Sequence, residues 1–222
     1  MTRIIDASGS IQSRELIINS TLKNTYMLLS MTLLFSAAMA GLSMAMNWPP
    51  LGMVPTLIGY FGLLFLTSKF SNSGYGILFV FALTGFMGVT LGPILSMYMH
   101  NLPNGGSVIM MAMGGTGAIF VALSAYVVVT RKNFSFMGGM LMTGILVAFL
   151  LGLGAIFLQM PMLSLAVSAM FILLMSGLIL YQTSEIIHGG ETNYINATVT
   201  LFVSIFNLFT SLLHILGIFG DE

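Results

Sequence analysis

Seven apolar runs, each long enough to cross a lipid bilayer, constrain this sequence more than any other feature. A hydrocarbon core about 30 Å thick needs about 20 apolar residues in an α-helix that rises about 1.5 Å per residue. Short stretches rich in Asn, Pro, Gly and Ser separate the runs and predict turns. The predicted spans are Tyr26–Met46, Leu51–Leu66, Gly76–Tyr98, Val108–Val129, Phe136–Leu158, Leu163–Leu180 and Ile195–Phe219.

A soluble protein could not hide this much apolar surface. Hydrophobic residues make up 57% of the 222 residues, charged residues only 5%, and the mean hydropathy is +1.03; soluble domains are roughly 45–50% apolar. Strands of a β-barrel would alternate apolar and polar residues, which this sequence does not do. The sequence therefore predicts an all-α, polytopic membrane protein. A single seven-helix transmembrane domain is expected over residues 25–220, after a cytoplasmic tail over residues 1–24 that is either irregular or a short interfacial helix.

All six Lys and Arg residues fall on one side of a seven-span arrangement. They are Arg3, Arg14, Lys23, Lys69, Arg131 and Lys132. Because Lys and Arg are enriched in cytoplasmic loops, we expect the N-terminus in the cytoplasm and the acidic pair Asp221–Glu222 outside. A re-entrant last segment, which would return the C-terminus to the cytoplasm, is the alternative.

Five polar residues recur in the last span at steps of four, three, four and three, which places them on one face of a helix. This polar stripe consists of Thr200, Ser204, Asn207, Ser211 and His214. Polar atoms in contact with hydrocarbon are costly, so the stripe is expected to face the interior of the bundle, with the seventh helix at its centre. It would either form hydrogen bonds between helices or line a path for ions or protons.

The turn between the sixth and seventh spans concentrates rare polar chemistry. Glu185, His188 and Glu191 lie within seven positions of a chain with little charge. Their E-x-x-H-x-x-E spacing resembles half of a di-metal site, but such sites need a second copy and further glutamates, and Gly189–Gly190 should end the helix before Glu191. Helix termini offer the better explanation: Gly189 can end one helix, and Thr192 or Asn193 can cap the next.

No catalytic constellation is present. The sequence has no cysteine and no H-E-x-x-H, G-x-S-x-G or P-loop motif. We therefore predict a protein that is not an enzyme, with no catalytic residues and no cofactor or metal site. Zero net charge argues against a nucleic-acid partner. Membrane lipid is the partner that the composition implies, and no small-molecule substrate is indicated.

A family resemblance covers nearly the whole chain from about Lys23. The C-terminal signature of the Bax inhibitor-1 family is similar to the stretch from Tyr181 to Leu216, YQTSEIIHGGETNYINATVTLFVSIFNLFTSLLHIL. The family's bacterial inner-membrane, YccA-like branch resembles three further stretches, NTYMLLSMTLLFSA, TGFMGVTLGPIL and SAYVVVTRKNFSFMGGMLMTG. The resemblance implies a fold of six helices around a central seventh and a multi-pass location in the bacterial inner membrane.

The same resemblance implies two functions. Resemblance to the YccA-like branch implies that the protein binds the membrane-anchored ATP-dependent protease FtsH with its HflK–HflC partners. It also implies that the protein modulates this protease and is one of its substrates. Other family members resemble pH-sensitive calcium leaks gated by two aspartates, which makes a calcium or proton leak the alternative. The positions that match those aspartates hold Gln182 and Ser204, and neither side chain can change its charge.

Overall fold

The computed structural model describes residues 2–219, with side chains from residue 15 onward. Its seven α-helices are each long and apolar enough to cross a membrane, which confirms the predicted fold class. A single 3₁₀ turn, Ser135–Met137, precedes the fifth helix. The helices are α1 Thr2–Ala45, α2 Met53–Phe70, α3 Tyr75–Asn101, α4 Gly105–Thr130, α5 Gly138–Phe157, α6 Pro161–His188 and α7 Tyr194–Phe219.

Two helices extend well beyond the predicted spans. α1 begins at Thr2, so the described residues before the first predicted span are helical. Of the two expectations for this tail, an irregular segment or a short helix, the structure agrees with a helix. α6 continues past Leu180 to His188, because Gln182, Thr183 and Ser184 are buried by their neighbours although they interrupt the apolar run. The side chains of Arg3 and Arg14 and the pair Asp221–Glu222 lie outside the described residues, so the predictions made for them stay predictions.

The three connections α2–α3, α4–α5 and α6–α7 meet at one end of the bundle. Hydrogen bonds join the α6–α7 turn to Asn72 in the first of these connections and to Arg131 in the second. Lys69 and Lys132 lie at the same end, which is called the basic end below. This arrangement confirms the alternation of spans predicted from the positive charges.

The seventh helix is central, with five direct neighbours. α7 packs against α1, α2, α3, α4 and α6, while α5 packs on α6. The main core cluster lies around the middle of α7, where Leu201, Phe202 and Leu208 are buried against Leu83 of α3 and Ile179 of α6. α7 is an unbroken helix of 26 residues, which favours a full crossing over a re-entrant segment.

Glycines allow α1 and α3 to approach closely. A Cβ atom added to Gly88 would collide with the backbone of Ser36, and one added to Gly92 would lie 2.9 Å from the carbonyl oxygen of Ala40. The Ser43 hydroxyl donates a hydrogen bond of 2.9 Å to the Val89 carbonyl across the same interface. Small residues serve this purpose in lipid, where helices gain little from the hydrophobic effect.

A second glycine-rich stretch does not follow the same rule. Gly114 and Gly117 of α4 have open space where a Cβ would be placed, and Gly115 has only an ordinary contact with Leu212. Close approach of a neighbouring helix therefore explains Gly88 and Gly92 but not Gly114 and Gly117.

Candidate functional site

The α6–α7 turn at the basic end is organised by helix termini. Gly189 ends α6 in the left-handed conformation, with φ of 75°, and its N–H donates to the carbonyls of Glu185 and Ile186. Asn193 caps α7, because its Oδ1 accepts hydrogen bonds from the N–H groups of Ile195 at 2.9 Å and Asn196 at 3.2 Å. Both capping roles were predicted from the sequence, with Thr192 as the second candidate for the cap.

The end of α6 holds the α4–α5 connection in place. The Ser184 hydroxyl accepts a hydrogen bond of 2.9 Å from the Phe134 N–H and is 3.4 Å from the Lys132 carbonyl. Ser135 donates a short hydrogen bond to Glu185. One turn further on, the Nε2 atom of His188 is 3.1 Å from the Arg131 carbonyl oxygen.

The turn also binds the remaining elements at this end. The Asn193 amide donates a hydrogen bond of 2.9 Å to Asn72 Oδ1 in the α2–α3 connection. The Thr21 hydroxyl of α1 donates to the Thr192 carbonyl at 3.2 Å. We call residues 184–193 with these hydrogen-bond partners the junction, because the junction links α1 and the three connections at the basic end.

The three polar residues predicted for this turn all take part in the junction. Glu185 accepts from Ser135, His188 contacts the Arg131 carbonyl, and Glu191 accepts a hydrogen bond of 2.7 Å from the Asn193 N–H. The side chains of Glu185 and His188 therefore attach α6 to the α4–α5 connection, and Glu191 forms its hydrogen bond within the turn. Within residues 15–219, no cluster of three His, Cys, Asp or Glu side chains could hold a metal ion.

Basic side chains lie beside the junction. The Lys132 ammonium group is 5.6 Å from the centre of the Tyr126 ring, and hydrogen bonding to the Tyr126 side chain raises the pKa of Lys132. The Lys69 ammonium group lies about as close to Phe65, at 6.0 Å, and to Phe70, at 5.9 Å. Both cations sit over aromatic faces, which attract positive charge.

The polar stripe on α7 is buried or half-buried along its length. Ser204 and Ser211 are buried, and Thr200, Asn207 and His214 are half-buried. Ser204 donates to the Thr200 carbonyl at 2.7 Å, so its hydroxyl is satisfied within α7. Asn207 likewise donates to the Val203 carbonyl at 2.8 Å.

One member of the stripe is hydrogen-bonded to another helix, and a second faces a neighbouring helix across a cavity. A hydrogen bond of 2.7 Å joins the His214 Nδ1 atom to the Ser168 hydroxyl of α6. Asn207 lines the same cavity as Tyr60 of α2. The hydrogen bond of His214 supports the interpretation of the stripe as bonding between helices, while a role in ion passage stays a prediction.

Sequence reasoning missed several residues of the junction. Thr21 lies within α1, whereas Ser184, Ser135 and Asn72 are small polar residues near helix ends, where capping of their own helix is the usual expectation. Each contributes instead to a contact between segments far apart in sequence. Their placement next to turns was the available signal, but it did not reveal which turns meet.

Comparison with known proteins identifies the family. Residues 18–221 match the model of the family described as inhibitor of apoptosis-promoting Bax1. The chain belongs to this family. This result confirms the resemblance to Bax inhibitor-1 proteins that the sequence motifs indicated.

Similar proteins of the Bax inhibitor family are found in several bacteria. A protein of Escherichia coli (strain K12) named modulator of FtsH protease YccA is 53% identical over 217 residues, which cover 98% of each chain. A protein of Escherichia coli O6:H1 named inner membrane protein YccA matches equally well, at 53% identity over 98% of each chain. An uncharacterised protein of Pseudomonas aeruginosa is 53% identical over 97% of this chain and 96% of its own.

Gln182 and Ser204, which the family resemblance suggests as the positions of two aspartates in leak-type members, are both buried. Gln182 of α6 is 6% exposed, and its Nε2 atom has no hydrogen-bond partner among the described residues. Ser204 is fully buried and donates to its own helix. An uncharged pair in these positions cannot take up or release protons near neutral pH.

Proposed function

We propose that this protein modulates the membrane-anchored protease FtsH in the bacterial inner membrane. The observation that supports this proposal best is the 53% identity over 98% of both chains to a protein named modulator of FtsH protease. The seven membrane-spanning helices fit a partner that is itself anchored in the membrane. The aligned region covers nearly the full length of both chains, so the similarity is not limited to one segment.

We infer further that the basic end faces the cytoplasm. Lys69, Arg131 and Lys132 lie at this end, and cytoplasmic loops are enriched in Lys and Arg. The N-terminus then lies in the cytoplasm and the C-terminus outside. Reporter fusions test this orientation: a reporter after Lys69 or His188 should be active only in the cytoplasm, and a cytoplasmic C-terminus would contradict it.

The junction is the proposed binding surface for FtsH and for HflK–HflC. It joins α1 to the three connections at the basic end, so it presents a fixed arrangement of backbone and charge to a partner. Lys132 is exposed beside it. Exposed charges at the rim of an interface mainly affect association rates and salt dependence.

A second part of the proposal is that the protein is also a substrate of FtsH. An ATP-dependent protease needs an end of the chain from which to begin. The helix that begins at Thr2 extends to Ala45 as one element, so pulling on its first turns leads directly into the first membrane span. Removing residues 2–14 should leave membrane insertion intact, because these residues precede the apolar run that begins near Tyr26, but should slow degradation.

The decisive experiment measures FtsH activity in proteoliposomes with and without this protein. We expect the protein to change the rate at which FtsH degrades a second membrane substrate, and expect Lys132→Glu to weaken this effect. Asn101→Glu, an exposed change at the opposite end of the bundle, is the matched control. An unchanged degradation rate at saturating amounts of the protein would refute modulation. Loss of substrate status alone, seen after deletion of residues 2–14, would leave modulation standing.

The leak alternative has no comparable support, because Gln182 and Ser204 carry no charge that could attract calcium or share a proton. We expect little calcium flux through the unmodified protein in liposomes between about pH 6 and 8. Gln182→Asp combined with Ser204→Asp should create a pH-sensitive leak. Robust pH-gated flux without these substitutions would favour the alternative.

A further inference from the structure

A large apolar cleft opens from the centre of the bundle between α2 and α5. Its volume is about 740 Å³, and α2, α3, α5, α6 and α7 all contribute to its walls. At the mouth, Phe61 and Phe149 meet edge to face with ring centres 5.7 Å apart. At the inner end lie Phe206 and Asn207, in the middle of α7. The cleft therefore leads from the surface of the membrane-spanning region to the central helix.

The polar groups of the cleft are engaged with the protein itself. Thr56, Thr90 and Thr143 each donate to a carbonyl one turn earlier in their own helix, at 2.7, 2.8 and 2.9 Å. Asn207 donates to the Val203 carbonyl at 2.8 Å. A water molecule in a cavity needs two to four polar partners, and these walls offer few. The cleft is suited to an apolar occupant.

The size of the cleft excludes a transmembrane helix as occupant. A helix with side chains is about 10–12 Å wide, so a segment that crosses about 30 Å of hydrocarbon occupies roughly 2,000–3,000 Å³. That volume is several times the 740 Å³ of the cleft. A single slender hydrocarbon chain fits, since binding cavities for small apolar molecules measure about 300–1,000 Å³.

The surroundings of the mouth supply such a chain. Leu146 of α5 and Phe61 of α2, which both line the cleft, are 58% and 48% exposed on the surface of membrane-spanning helices. Their solvent is the hydrocarbon of the bilayer. A void left empty would deprive its walls of van der Waals contacts, whereas an acyl chain that enters restores them without losing hydrogen bonds to water.

We propose that this cleft binds one acyl chain of a bilayer phospholipid, with the end of the chain near Phe206. The contacts are made to the hydrocarbon of the lipid. The acyl chain enters the cleft laterally, from the hydrocarbon core of the bilayer, between α2 and α5. This site is separate from the junction, and it does not depend on the proposed action on FtsH.

Quenching of tryptophan fluorescence by brominated acyl chains tests the proposal. The chain has a single tryptophan, Trp48, and Trp48→Phe gives a background without this signal. In that background Phe206→Trp reports on the inner end of the cleft. Phe209→Trp is the matched control, because Phe209 lies three positions along α7, is only 8% exposed and is not among the residues that line the cleft. Phe65→Trp, at an exposed position of α2, defines full contact with lipid.

Each variant is reconstituted in vesicles of phosphatidylcholine with or without bromine on its acyl chains. We expect Phe206→Trp to lose most of its fluorescence in brominated lipid, close to the loss for Phe65→Trp and well above that for Phe209→Trp. Quenching no stronger than for Phe209→Trp would overturn the proposal, as would stronger quenching by aqueous acrylamide than by brominated lipid. If Phe206→Trp does not yield a monodisperse helical protein, Phe171→Trp on the opposite wall gives the same decision.

Discussion

The close approach of α1 and α3 can be tested with a single methyl group. Gly88→Ala adds a Cβ atom that would lie 3.0 Å from both the carbonyl carbon and the Cα of Ser36, and closer still to its carbonyl oxygen. These atoms belong to the backbone, so no side-chain rotation can relieve the collision. The two helices must separate by several tenths of an ångström, which also loosens the hydrogen bond from Ser43 to Val89.

The magnitude follows from comparison with a glycine that has room. Forcing an extra methyl group into a packed interface costs about 1–3 kcal/mol, and replacing Gly by Ala within a helix returns up to about 1 kcal/mol. Gly117 lies in the middle of α4 with open space around it. Gly117→Ala therefore gains the helix-propensity contribution without the cost of overpacking. Since the helix-propensity term is common to both variants, their free energies of unfolding should differ by about 1–3 kcal/mol.

Reversible unfolding in mixed micelles of mild detergent and dodecyl sulfate, followed by circular dichroism, measures this difference. Gly88→Ala should unfold at a lower fraction of dodecyl sulfate than the unmodified protein, and Gly117→Ala at the same fraction or a higher one. Equal stability of the two variants would refute the reasoning, because it would mean that α1 and α3 are far enough apart to accept a Cβ atom.

Three further experiments test the contacts described above. Ser184→Ala removes the acceptor for the Phe134 N–H, which costs about 0.5–1.5 kcal/mol. Trypsin should then cleave the α4–α5 connection about 2- to 10-fold faster. Thr130→Ala should not change the rate, because the Thr130 hydroxyl bonds only within α4. A double-mutant cycle of Ser168→Ala and His214→Phe should give a coupling energy of about 0.6 kcal/mol, and a value of zero would refute the hydrogen bond between α6 and α7. Asn193→Ala should lower the free energy of unfolding by about 1 kcal/mol through loss of the α7 cap, and unchanged unfolding in the same micelles would argue against that cap.

The sequence was informative wherever a property repeats along the chain. Span number follows from the length of apolar runs, and the common location of Lys69 and Arg131 follows from parity alone. Helical periodicity places Ser204 and Ser211 on one face of α7, and both side chains are buried.

Properties that depend on which segments meet could not be predicted in the same way. Gly88 and Gly117 lie in similar local sequences, yet only Gly88 faces the backbone of another helix. The sixth predicted span stops at Leu180 because hydropathy treats Gln182 to Ser184 as exposed, whereas packing buries them within α6. The end of the helix at Gly189 was predicted from the glycine itself. The cleft between α2 and α5 results from how helices far apart in sequence are arranged, and no local pattern encodes it.

α7 is synthesised after the six helices among which it lies. Chains emerge from the ribosome N-terminus first, so α1–α6 enter the bilayer before their central helix exists. During that interval the surfaces that later cover α7, including Leu83 and Ile179, must close on one another or take up lipid. The junction cannot form either, because it needs Asn193. Each new molecule is therefore, for a time, a six-helix intermediate that lacks its central helix. A chain interrupted before α7 would remain in that state, with its core open to the bilayer.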